Sequence, residues 1–200
     1  MTIALVTNEC QRGAIGDHAL WPALVDAARP VIPSLARLLD AARAREIPVV
    51  HCVAIRRADL RGANTNAPLF DVANRSGGLR AGAPSVDLIP ELGPATTDLV
   101  FPKTHGVASL GSTGVDAALR NLGVEEIVLT GVSVNVAIMA LAFEAVNRGY
   151  RVTIPRDGVA GVPASYADEV LENSLSLVAT VTTVDGLVAR WASDQVIRAT

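Results

Sequence analysis

Few residues of this chain can move a proton or hold a charge inside a fold, and two of them stand out by type and context. Of the 17 basic residues, only Lys103 is a lysine, and every other one is arginine. An ammonium is compact and can release its proton when buried, which a guanidinium does not do. A lone lysine in an arginine-written chain therefore marks a position where those properties are wanted. Glu9 is the acid that follows the first apolar run, Ile3–Thr7. An acid and an amine brought together from distant segments can exchange a proton with a substrate. The same two groups can equally form an ion pair that ties two loops together.

Such residues act together only if the elements around them converge. Ile3–Thr7, Pro48–Val53, Asp98–Phe101, Ile127–Thr130, Arg151–Ile154 and Thr180–Val184 are short and continuously apolar, which predicts strands covered on both faces. Val31–Arg45, Gly114–Leu122, Asn135–Arg148 and Ala164–Leu177 carry apolar residues at helical spacing. Thr113 with Asp116 reads as a capping box, and Gly123 and Gly149 stand where helices end. This alternation predicts one α/β domain over residues 1–200, a doubly wound parallel sheet with right-handed crossovers. Residues 56–97 lack a strong pattern and are expected to form a functional excursion covering a pocket.

Ligands of open α/β sheets bind beyond the carboxyl ends of the strands. Those ends offer Glu9 and Gln11 from strand one, His51 and Cys52 from strand two, and Lys103 and His105 from strand three. Strand four offers Val132 and Ser133 before Asn135, and strand five offers Arg156 and Asp157. Gln11, His105, Val132 and Ser133 are candidate substrate contacts. Cys10 and Cys52 read as buried core thiols, Cys10 pointing away from Glu9 by strand alternation. His18, His51 and His105 are dispersed, so no metal is expected. No P-loop or GxGxxG follows strand one, and no cofactor is expected.

Composition narrows the partners. Half of the residues are hydrophobic and 18% are charged, with a net charge of −3. That balance favours neither nucleic acid nor an anionic membrane. No apolar run reaches membrane-spanning length, and the first residues lack the pattern of a signal peptide. The expected partner is a small molecule and the expected location cytoplasmic.

In order along the chain, four segments resemble the isochorismatase-like hydrolases. Leu5–Gln11 is similar to that family's strand ending in Asp-x-Gln, with Glu9 at the aspartate. Phe101-Pro102-Lys103, followed by Thr113 at a helix start, resembles the segment bearing the family's lysine. Thr130-Gly131-Val132-Ser133-Val134-Asn135-Val136-Ala137 resembles the elbow Thr-Gly-Val-x-x-x-x-Cys, with alanine at the nucleophile. Gly149-Tyr150-Arg151-Val152 and Asp157-Gly158-Val159-Ala160 match later family elements. The resemblance implies strand order 3-2-1-4-5-6, a cis peptide at Val132–Ser133, and Glu9 paired with Lys103 over a pocket floored by Ala137. It also implies a homodimer or homotetramer. Thiol attack at position 137 is excluded by its side chain, whereas the family's acid-catalysed vinyl-ether cleavage needs no thiol. Two functions follow from the resemblance, beside a different lyase or hydrolase reaction that would use only the Glu9–Lys103 pair. One is a cysteine-independent hydrolase of a small anionic metabolite; the other is an inactive homologue kept for binding or assembly.

Overall fold

In the computed structural model, which describes residues 1–198, the chain builds a parallel sheet covered by helices on both faces. The elements run β1 (Ile3–Asn8), α1 (Arg12–Ile15), α2 (Pro22–Ala28), α3 (Ile32–Arg43), β2 (Val49–Ala54) and α4 (Pro68–Arg75). They continue through β3 (Leu99–Lys103), α5 (Val115–Asn121), β4 (Glu126–Val132), α6 (Met139–Asn147) and β5 (Arg151–Pro155). The last are β6 (Val159–Ala160), α7 (Ala164–Asn173), β7 (Thr180–Thr182) and α8 (Val184–Arg198). The sheet order is β3-β2-β1-β4-β5-β7, and the two-residue β6 pairs with β4 off this path. This is the doubly wound order expected, the last strand being seventh only because β6 intervenes.

Alternate residues of each strand feed two separate cores. Val6 and Leu129 pack with Leu119, Leu141 and Leu171 on the face of α5, α6 and α7. Leu5 and Val128 pack with Leu35, Leu38, Leu187 and Trp191 on the face of α3 and α8. Burial on both faces is why these strands read as unbroken apolar runs. Among the described residues, no helix is long and apolar enough to cross a membrane.

Several expectations need correction. The run Thr180–Val184 is shorter as a strand, because Val184 starts α8, which docks through Leu187 and Trp191. The helix expected over Asn135–Arg148 opens as a π-turn at Val134–Ile138 before α6 begins. The proposed capping box is absent at α5. There Thr113 Oγ1 accepts from Val115 N at 3.1 Å, while Asp116 bonds Tyr150 and Arg148 instead. Gly123 and Gly149 do end their helices, with φ +67 and +89, a conformation in which glycine avoids a steric penalty.

Residues 56–97 form an irregular excursion between β2 and the edge strand β3, containing α4 and two short 3-10 turns. Gln11 holds it in place. The fully buried Gln11 amide donates to Ala54 O at 3.0 Å and Val86 O at 2.9 Å and accepts from Ala54 N at 2.7 Å.

Candidate active site

The carboxyl ends of β1, β3 and β4 converge on a cavity of about 170 Å³. Glu9 is the first residue beyond β1, and its backbone adopts φ +53. Non-glycine residues in that region carry roughly 1–3 kcal/mol of strain. Here the turn is held by Glu9 N donating to Cys52 O at 2.8 Å. It brings the Glu9 carboxylate onto the cavity wall.

Lys103 ends β3. Its Nζ donates to Glu9 Oε1 at 2.6 Å and to Val107 O at 2.6 Å. The lysine side chain is 4% exposed and that of Glu9 24%. Burying an ammonium alone is costly, and the carboxylate offsets that penalty in a short charge-assisted hydrogen bond. The pair closes a loop of 94 residues in sequence.

β4 supplies the floor. Gly131 has φ +99, and a Cβ there would collide with the Asn8 backbone oxygen, so β1 and β4 can meet this closely only at glycine. The Asn8 side-chain amide donates to Val132 O at 2.7 Å, and the Val132–Ser133 peptide is cis. Beyond it the π-turn brings Ser133, Val136 and Ala137 to the cavity. Ala137 contributes a methyl group and no nucleophile.

The sequence candidates separate into two groups. Glu9, Lys103, His105, Ser133 and Ala137 line the cavity, His105 as an exposed rim residue with Nδ1 at 3.3 Å from Thr104 Oγ1. Gln11 and Val132 do not line it. Gln11 spends its amide on the excursion, and Val132 is buried and contributes its carbonyl to Asn8. His51 is likewise elsewhere, because β2 runs on to Ala54. His51 Nδ1 lies 2.7 Å from Thr7 Oγ1 and Nε2 lies 3.2 Å from Asp98 Oδ2, with Arg43 on the same carboxylate. Asp157 caps α8, accepting from Val184 N at 2.8 Å, and Arg156 faces Glu172 at 3.7 Å. Cys10 and Cys52 are buried, which pushes their thiols up to about 12 and about 11. Among the described residues, no cluster of three or more His, Cys, Asp or Glu could hold a metal ion.

Arg56 and Asn64 are among the wall residues that sequence reasoning missed. Asn64 Oδ1 accepts from Gly106 N at 2.7 Å, joining the excursion to the loop after Lys103. The signal for Arg56 was available, since it stands two residues past the end of β2.

The comparisons agree with this architecture. Residues 3–186 match the isochorismatase domain. An uncharacterised isochorismatase family protein, YwoC of Bacillus subtilis, is 26% identical over 175 residues, covering 88% of this chain and 84% of that protein. A secreted isochorismatase effector of Verticillium dahliae is 28% identical over 172 residues, covering 85% and 80%. The crystal structure of an isochorismatase-like hydrolase from Alkaliphilus metalliredigens superposes with a TM-score of 0.80. It is 26% identical and covers 96% of this chain and 100% of that one. With the match spanning nearly all of its sheet and both strand ends that carry Glu9 and Lys103, the chain belongs to the isochorismatase family of hydrolases.

Proposed function

We propose that the chain hydrolyses a small anionic molecule by acid–base chemistry without a nucleophilic thiol. The observation that carries the proposal is the 2.6 Å contact of Glu9 with Lys103 beside the Ala137 methyl. The hydrogen bond between them gives a proton carried by the pair a path to Glu9. In a vinyl-ether cleavage the Glu9 carboxyl group delivers that proton to the terminal alkene carbon. The oxocarbenium ion that forms is attacked by water, and the water's second proton returns to the pair. The resulting hemiketal then breaks its C–O bond to release an alcohol and a carbonyl compound. Nothing in that sequence needs a group on residue 137.

The test is turnover of a panel of vinyl ethers and related C–O substrates by the wild type, Glu9→Gln and Lys103→Ala. Hydrolysis by the wild type, lost by about a hundredfold or more in both variants, supports the proposal. Hydrolysis unaffected by either variant refutes it. The Ala137 methyl also favours the second reading, an inactive homologue retained for binding or assembly. No turnover by the wild type across the panel, with ligand binding intact, would establish that reading instead.

The unpaired thiols Cys10 and Cys52 favour a reducing, cytoplasmic compartment. The exposed Val136, Phe143 and Val146 recur at helical spacing along the π-turn and α6, and they favour a homodimer or homotetramer.

A further inference from the structure

Three charged side chains line the cavity: Glu9, Lys103 and Arg56. The first two neutralise one another at 2.6 Å. Arg56 is partly buried, and among the described residues no acidic side chain reaches it within ion-pair distance. Its Nη1 donates to Gly78 O at 3.5 Å, the outer limit of a hydrogen bond. Two other partly buried arginines each have a carboxylate partner. Arg43 lies 2.7 Å from Asp98, and Arg190 lies 2.7 Å from Glu126. Burial pushes the Arg56 guanidinium down from its usual range, the charge of Glu9 pulls it up, and that of Arg80 adds to the lowering.

The main chain at Arg56 is held firmly. Its N donates to Leu79 O at 2.7 Å, and its O accepts from Ala81 N at 2.8 Å. A partly buried charge on a fixed backbone, facing a cavity and lacking a carboxylate, has a desolvation cost that a bound anion would offset. The wall around it is apolar, with Trp21, Phe70 and Leu79.

We propose that Arg56 is the anion-binding residue of the cavity, and that the ligand it selects is a monocarboxylate with an apolar body. The carboxylate sits on the guanidinium, whose flat fork matches two oxygens at once. The apolar body lies against Phe70, Leu79 and Trp21. Charge selects one negative group, because the Glu9–Lys103 pair cancels and leaves a wall charge of about one. A second carboxylate would be desolvated without a partner. The orientation of the reacting bond toward Glu9 rests on the hydrolytic reading above; the selection of a monocarboxylate does not.

The experiment is calorimetric titration of the whole protein with benzoate, phenylacetate and 3-phenylpropanoate. Their neutral amides, phthalate and inorganic phosphate are titrated alongside, and Arg56→Gln and Arg56→Lys are checked for folding by circular dichroism. A charge-assisted pair of hydrogen bonds makes at least one carboxylate bind tenfold to a hundredfold tighter than its amide. Arg56→Gln abolishes that preference, and Arg56→Lys keeps only part of it. If Arg56→Gln does not fold, Arg56→Lys and the wild-type comparison decide. No carboxylate preference anywhere in the set overturns the proposal, as does tighter binding of phthalate or phosphate. A preference that survives Arg56→Gln overturns it too. The two proposals fail separately. Carboxylate preference that persists in Glu9→Gln, with no turnover of any substrate, sinks the hydrolytic reading alone. Turnover whose KM is unchanged in Arg56→Gln sinks this one alone.

Discussion

Glu9→Gln and Lys103→Met remove the same ion pair from opposite ends, and the structure predicts that they do so at unequal cost. Glu9→Gln can keep the hydrogen bond but removes the countercharge, leaving an ammonium on a side chain 4% exposed. Breaking a buried pair typically costs about 3–5 kcal/mol. With the amide oxygen and Val107 O still accepting, we expect about 2–4 kcal/mol. Lys103→Met instead leaves the Glu9 carboxylate, 24% exposed and reached by water through the cavity mouth. Screening reduces that penalty to about 1 kcal/mol. In urea, with a slope near 2 kcal/mol per molar, Glu9→Gln lowers the midpoint by about 1–2 M and Lys103→Met by about 0.5 M. Equal midpoints for the two variants, or a larger loss in Lys103→Met, would refute the reasoning.

Other outcomes follow from the same structure. Because burial holds Cys10 near 12 and Cys52 near 11, iodoacetamide at pH 7.5 is expected to leave folded protein unlabelled by mass spectrometry; rapid labelling with loss of activity would contradict this. His51 is lowered by burial, which outweighs the hydrogen bond and charge of Asp98, so an unfolded chain takes up a proton below about pH 6.5 that the folded chain refuses. Stability measured by urea should then fall between pH 6.5 and 5 by up to about 1.4 kcal/mol per unit, and His51→Gln should flatten that slope. An unchanged slope in the variant would place the titration elsewhere. Phe143→Glu, at an exposed position on α6, should convert a homo-oligomer into monomers by light scattering, whereas a monomeric wild type at micromolar concentration would remove the oligomer proposal.

How much of this was legible in the sequence depended on how local the cause was. The central strands were readable because burial on both faces writes itself as unbroken Val, Ile and Leu. Lys103 was readable because its residue type is unique in the chain. Its contact with Glu9 required the strand order, which the family motifs supplied. Gln11 was misplaced because its partners are backbone groups of Ala54 and Val86, and carbonyls and amides leave no mark on residue type. His51 was misplaced because it lies inside β2, three residues before the strand ends at Ala54. Arg56 stands two residues past the end of β2, a place that marks it for the crevice, but its lack of an acidic partner is visible only once its surroundings are known. The helix α8 was lost because a strand signal at Thr180–Thr182 ran directly into its first apolar residue.

The strand that delivers the lysine is also the rim of the sheet, and rims are where proteins stick to one another. Leu99 and Val100 on β3 are 36% and 52% exposed, an apolar and β-branched pair of the kind that templates a foreign strand. Ile55 N donates to Lys103 O at 3.0 Å, so the peptide groups of Lys103 face β2 and those of its neighbour Pro102 face outward. A ring nitrogen there withdraws the donor that an incoming strand would need. The proline beside the Lys103 amine thus guards the edge of the sheet, and replacing it would change how the protein aggregates before it changed anything at Glu9.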